Sequence, residues 1–179
     1  MKKLLTLLLL VLTFIAMAQN PPQPIDPNVR KGVLDNGLTY YIRHNAIPEN
    51  RADFYIAQKV GSMQEEDSQA GLAHFLEHMA FNGTTNYPGK AMLEYLQDNG
   101  LKFGANINAY TSFDETVYYS STVPTSTVTL MDSVMLVLYD WSSGIALVES
   151  EIDSERGVIR EEWRSSGGAQ KGLWEILFP

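Results

Sequence analysis

Residues 71–84 read Gly71-Leu72-Ala73-His74-Phe75-Leu76-Glu77-His78-Met79-Ala80-Phe81-Asn82-Gly83-Thr84. Leu72, Phe75, Leu76 and Met79 recur at helical spacing. A helix is therefore expected from Leu72 to Phe81, capped by Asp67 or Ser68 and stopped by Asn82-Gly83. On such a helix His74 and His78 lie one turn apart on one face, with Glu77 beside them at i+3. Two imidazoles so placed can hold one divalent metal, zinc being the usual occupant, and the carboxylate between them can reach water on that metal. Taken alone, five residues are equally consistent with two hydrogen-bonded surface histidines and a solvated carboxylate. The chain holds only 3 histidines, and the motif takes two of them. The other, His44, sits in a polar stretch before Pro48 and reads as a loop residue.

A second segment shifts the balance. Along a helical pattern from about Val148 to Arg164, the residues Val148, Ile152, Glu155, Ile159 and Glu162 step by four, three, four and three, forming a single stripe. Asp153, Arg156, Arg160 and Arg164 lie elsewhere, where water can reach them, and Glu161 is about 100° off the stripe. A carboxylate that shares a face with inward-pointing aliphatic residues needs a cation or hydrogen-bond donors, since burying it unpaired is costly. By itself the stripe suits two glutamates at a wet rim. Beside the helix of His74 and His78, a shared metal accounts for both segments.

The remaining sequence sets the frame. The 179 residues carry 13 Lys and Arg against 21 Asp and Glu, with 45% hydrophobic residues and no cysteine. The apolar fraction suffices for a packed core. Zero cysteines exclude a disulfide scaffold, a thiolate zinc finger and a cysteine nucleophile. A formal net charge of -8 argues against nucleic acid as a partner. Lys2 and Lys3 precede an apolar run, Leu4 to Ala18, that ends in Ala16-Met17-Ala18, which is the order of a secretory leader cleaved after Ala18. The run is shorter than the roughly 20 residues a spanning helix needs, so no permanent membrane span is expected. Residues 1–18 are thus assigned as a signal peptide, 19–30 as an extended, proline-rich lead-in, and 31–179 as one domain. Localisation is expected to be exported, periplasmic or extracellular.

Within that domain the pattern mixes α and β. Asp35-Asn36-Gly37 is a hairpin turn between Lys31–Leu34 and Leu38–Arg43, and Asp53–Val60 is a third strand. Pro88 opens a second helix carrying Met92, Leu93 and Leu96, closed by Asn99-Gly100. Ile107–Ser112 and Thr116–Val123 are strands. From about Thr125 to Trp141 a long helix places Val128, Met131, Val134, Met135, Leu138 and Trp141 at helical spacing, with its methionines expected in the core. The last residues, Leu173 to Pro179, are apolar, which suggests an N-terminal piece of something longer, incomplete at its C-terminus.

Residues 71–84 resemble the signature of the pitrilysin and insulysin type of zinc metallopeptidase, which includes the mitochondrial processing peptidases. The His-x-x-Glu-His order inverts the commoner zinc motif, hence the term inverzincin. The resemblance continues through Asn108-Ala109-Tyr110-Thr111 with Thr116, Tyr118 and Tyr119, and through Glu155-Arg156-Gly157-Val158-Ile159-Arg160-Glu161-Glu162. It implies an α+β fold, a mostly antiparallel sheet with helices packed mainly on one face, forming one half-domain. It implies one zinc ion per domain, bound by His74, His78 and Glu162. Glu77 and Glu155 would be the catalytic carboxylates, Glu77 as general base and Glu155 steadying a ligand. The interval from His78 to Glu162 is longer than usual for the family and Glu155 falls nearer the customary distance, but the local Glu-Arg-Gly-Val-Ile register favours Glu162. Asn108, Ala109, Tyr110 and Thr111 would form an edge strand that pairs with a peptide substrate. The implied activity is endopeptidase hydrolysis of peptides or unfolded segments. The implied partner is a second homologous half, in the same longer chain or a separate subunit. A noncatalytic binding or assembly subunit of the same family is the alternative.

Overall fold

The computed structural model describes residue 24 and residues 26–165. The leader expected at 1–18, half of the lead-in and the apolar stretch 173–179 lie outside the described residues. The chain divides into two compact units, Met1–Pro48 and Glu49–Pro179.

The first unit holds an antiparallel hairpin of β1 (Val29–Val33) and β2 (Thr39–Arg43), with Val33 opposite Thr39 and Val29 opposite Arg43. Its turn is the expected one. Gly37 takes φ 88, the Asn36 side chain accepts the Leu38 amide at 3.1 Å, and the Leu34 amide donates to Leu38 O at 2.9 Å. Val29 and Arg30, expected in the lead-in, belong to the strand. The Val29 amide is held by Asp26 O at 2.9 Å, and the Asp26 carboxylate pairs with Arg43 at 2.9 Å, so the paired region starts earlier than composition suggests.

The second unit is a three-stranded antiparallel sheet in the order β3 (Arg51–Gln58), β5 (Thr116–Pro124), β4 (Ile107–Thr111). Four helices accompany it: α1 (Leu72–Met79), α2 (Ala91–Asp98), α3 (Val128–Ser143) and α4 (Glu149–Ser165). Alternation on β3 turns Ala52, Phe54, Ile56 and Gln58 inward and leaves Tyr55 exposed, stacked on Tyr119 with ring centroids 5.7 Å apart. Helix α3 packs on β3 and β5, and α1 on β4 and β5, so the fold is α+β with its helices on one face, as expected. Trp141 is the centre of the core. Its ring lies 5.7 Å from Phe81 and 5.5 Å from Tyr118, and its indole N–H donates to Ala80 O at 3.2 Å, tying α3 to the end of α1.

Two expectations are corrected here. On α3 the buried stripe runs through Leu130, Val134, Val137 and Trp141, whereas Val128 and Met135 are exposed and the methionines are not core. The helix is apolar on more than one side, so two neighbouring stripes satisfy the periodicity. Val134 and Trp141 belong to both stripes, and Asp140, a polar residue that the periodicity does not weigh, is buried with them. Neither Asp67 nor Ser68 caps α1; Asp67–Gln69 forms a separate 3-10 turn. Gly71, at φ 89, redirects the chain into the helix, and the Glu65 carboxylate bridges the Gly71 and Ala73 amides at 2.8 and 2.7 Å. An acid bound to the first amides of a helix serves both hydrogen bonding and the dipole.

Candidate metal centre

Helix α1 ends two residues earlier than expected, at Met79, through tightened bonds from Phe81 N to His78 O and from Asn82 N to Met79 O, each 3.0 Å. The chain then turns at Gly83, φ 130, into a loop anchored on α3. Asp140 is fully buried there. Its Oδ2 accepts the Thr84 hydroxyl at 2.6 Å and the Asn86 amide at 3.0 Å, and its Oδ1 accepts the Asn86 side chain at 2.7 Å. Backbone bonds from Thr85 to Gly144 O and from Ala146 to Gly83 O complete the clasp. Both ends of α1 are thus fixed by carboxylates, Glu65 before it and Asp140 after it.

The face of α1 so presented carries His74, Glu77 and His78. His74 Nε2 and His78 Nε2 lie 3.2 Å apart. From α4, Glu162 brings Oε2 to 3.2 Å from His78 Nε2 and Oε1 to 3.7 Å from His74 Nε2. One ligand atom from each of the three residues falls within 4.8 Å of the others. Two ring nitrogens this close, facing a carboxylate, require a proton or a cation between them. Ligands about 2.0–2.1 Å from a tetrahedral ion stand roughly 3.3–3.4 Å apart, so the donor set and its spacing fit zinc.

Glu155 occupies a different place. Its Oε1 meets His78 Nδ1 at 2.8 Å, on the far side of the ring from Nε2. A carboxylate only accepts, so Nδ1 donates to Glu155, and Nε2 is the ring atom that faces Glu162 and His74. The carboxylate that reaches both Nε2 atoms is that of Glu162, and Glu155 stands behind one histidine. Glu161 turns outward and pairs with Arg164. Glu77 is buried, and its Oε2 accepts the Thr111 hydroxyl at 2.9 Å and lies 3.9 Å from His74 Nε2. The Tyr118 phenol is pushed well above its ordinary value, first by burial and then by the charge of Glu77, which keeps it neutral.

These residues line a cavity of about 590 Å³, whose wall also includes Asn108, Ala109, Tyr110 and Thr111 of the edge strand β4. Phe81, Leu93, Phe103 and Val158 supply its apolar side, and Asn82 and Lys90 its polar corner. His74, Glu77, His78, Glu155, Glu162 and residues 108–111, named from the sequence as candidate site residues, therefore gather at one place. Asn82, read there only as a helix stop, is buried at 4% exposure and donates from Nδ2 to Glu155 Oε2 at 2.6 Å. An asparagine four positions after His78 is no signal by itself; only the arrival of α4 brings it the Glu155 carboxylate.

A model of the insulinase family, peptidase family M16, matches residues 41–170. The chain belongs to this family. Among M16 relatives, the probable zinc protease PqqL of Escherichia coli (strain K12) is 44% identical over 147 residues, covering 82% of this chain and 16% of that protein. The probable zinc protease PqqL of Haemophilus influenzae is 38% identical over 169 residues, covering 92% of this chain and 18% of that protein. The crystal structure of the first half of the periplasmic protease PqqL from Escherichia coli is similar with a TM-score of 0.81 and 43% identity, covering 85% of this chain and 32% of that one. This M16 chain therefore spans less than a fifth of the length of these two sequence relatives. No helix among the described residues is long and apolar enough to cross a membrane.

Proposed function

We propose that this chain is the zinc-binding half-domain of an exported endopeptidase, periplasmic or extracellular, that hydrolyses peptides or unfolded polypeptide segments together with a second, homologous half. The observation that carries the proposal is the meeting of His74, His78 and Glu162 from two helices beside Glu77 and the edge strand β4. His74, His78 and Glu162 would hold one zinc ion, which when bound supplies Lewis acidity toward water and the peptide carbonyl. Glu77 takes a proton from the attacking water on its carboxylate and passes it to the nitrogen of the leaving amine. Thr111 orients that carboxylate through Oε2, and Glu155 holds the His78 ring by its Nδ1–H.

Substrate binding follows from the edge of the sheet. Bonds from Ser112 N to Glu115 O and from Ser121 N to Asn106 O fix which residues of β4 bond to β5. Because antiparallel pairing alternates, the backbone groups of Ala109 and Thr111 are the ones turned toward the open edge. An extended peptide would pair there, with Asn108 and Tyr110 flanking, so affinity comes from main-chain hydrogen bonds and sequence selectivity is modest.

The test compares the chain with Glu77→Gln, measuring bound zinc by elemental analysis and cleavage of unfolded casein, with the complementary half of a relative added. One zinc in both proteins, and hydrolysis only with Glu77, is the expected result. Absence of zinc from both would sink the reading. Zinc retained with no cleavage by either protein would favour the noncatalytic assembly subunit.

A further inference from the structure

Behind the candidate metal ligands runs a hydrogen-bonded line that ends at the cavity wall. His78 Nδ1–H meets Glu155 Oε1 at 2.8 Å, and Glu155 Oε2 accepts Asn82 Nδ2 at 2.6 Å. Asn82 Oδ1 in turn accepts the Lys90 ammonium, which also reaches Phe81 O at 3.5 Å. The polarity of every link is forced. An ammonium only donates and a carboxylate only accepts, so the amide between them must show its oxygen to Lys90 and its nitrogen to Glu155. Asn82 is 4% exposed, and it sits on the turn that the Asp140 clasp holds. We infer that Asn82, oriented by Lys90, is a positioning residue that locks the Glu155 carboxylate and thereby presets the ring of His78, with its Nε2 lone pair toward the metal position. An amide here has a property that neither a carboxylate nor an aliphatic side chain has: it joins the Lys90 ammonium to the Glu155 carboxylate without adding charge of its own.

This inference rests on the zinc reading of the site, and its test separates the two. Zinc affinity is measured by competition with a chromophoric chelator for the intact chain, Asn82→Ala, Glu155→Ala and the double variant, with circular dichroism as the check on folding. Partners of ligating histidines typically contribute roughly ten- to a hundredfold in metal affinity. Asn82→Ala is expected to weaken zinc binding about tenfold in the wild-type background and to have no further effect once Glu155 is absent, because its influence passes through that carboxylate. A merely structural Asn82 would cost the same in both backgrounds, and that result, or an unchanged affinity, overturns the proposal. Should Asn82→Ala fail to fold, Lys90→Met, at an exposed position, is judged by the same two comparisons. If the unaltered chain binds no zinc, both readings fall; if it binds zinc and the variants match it, only the positioning role falls.

Discussion

The hydroxyl of Thr111 rests on Glu77 Oε2 at 2.9 Å, so the edge strand and the carboxylate proposed to carry the proton are mechanically one piece. Thr111→Val keeps the shape and removes the donor. A hydrogen bond to a charged group contributes about 1.5–3 kcal/mol, so kcat is expected to fall at least about tenfold while zinc affinity stays at the wild-type value. Parallel turnover and metal-titration measurements check this. Tyr118 gives a second handle. Its folded ionisation lies above the unfolded one, so its contribution to stability is complete below the unfolded phenol value of about 10 and is lost as pH rises through the folded value. Alkaline unfolding of Tyr118→Phe should therefore show a shallower loss of stability above about pH 10 than the parent.

Among the elements, the clasp between α3 and the loop after α1 is the most sensitive. Asp140→Ala deletes three bonds and leaves the Thr84 hydroxyl and the Asn86 amide without their acceptor. The expected loss is about 3 kcal/mol, measured by urea denaturation, with no change in the residues that face the metal position. Strands and helices were legible because their signals are local: Asp35-Asn36-Gly37, Pro88, Asn99-Gly100 and the alternation of β3 each act within a few residues. His74, His78 and Glu162 were legible because two such local patterns each lacked a partner. Asp140 and Asn82 escaped for the opposite reason. Asp140 meets Thr84 across 56 residues and Asn82 meets Glu155 across 73, and no periodicity in either neighbourhood marks those meetings. On α3 the expected Val134, Leu138 and Trp141 do reach the core, and only periodicity on a helix apolar on more than one side added the exposed Val128 and Met135.

Over the molecule as a whole, α4 is the piece that the proposed metal would hold most. It has no buried residue, and it meets α1 through the Glu155 and Glu162 carboxylates on His78 and His74. An ion shared by His74, His78 and Glu162 would staple the two helices. Stripping zinc with a chelator should lower stability by about 2.7 kcal/mol relative to a chain held at one hundred times its dissociation constant. Hydrogen exchange should speed up first within residues 149–165, and the sheet should keep its protection. The open margin of β4 carries a further consequence. In the proposed activity, main-chain pairing would grip a severed fragment as firmly, per residue, as the intact strand that came before it, so this attraction would do nothing to expel what has been cut. Long fragments would linger and short ones depart, and the pace of the cycle would be governed by how finely the scissions fall along the captured chain.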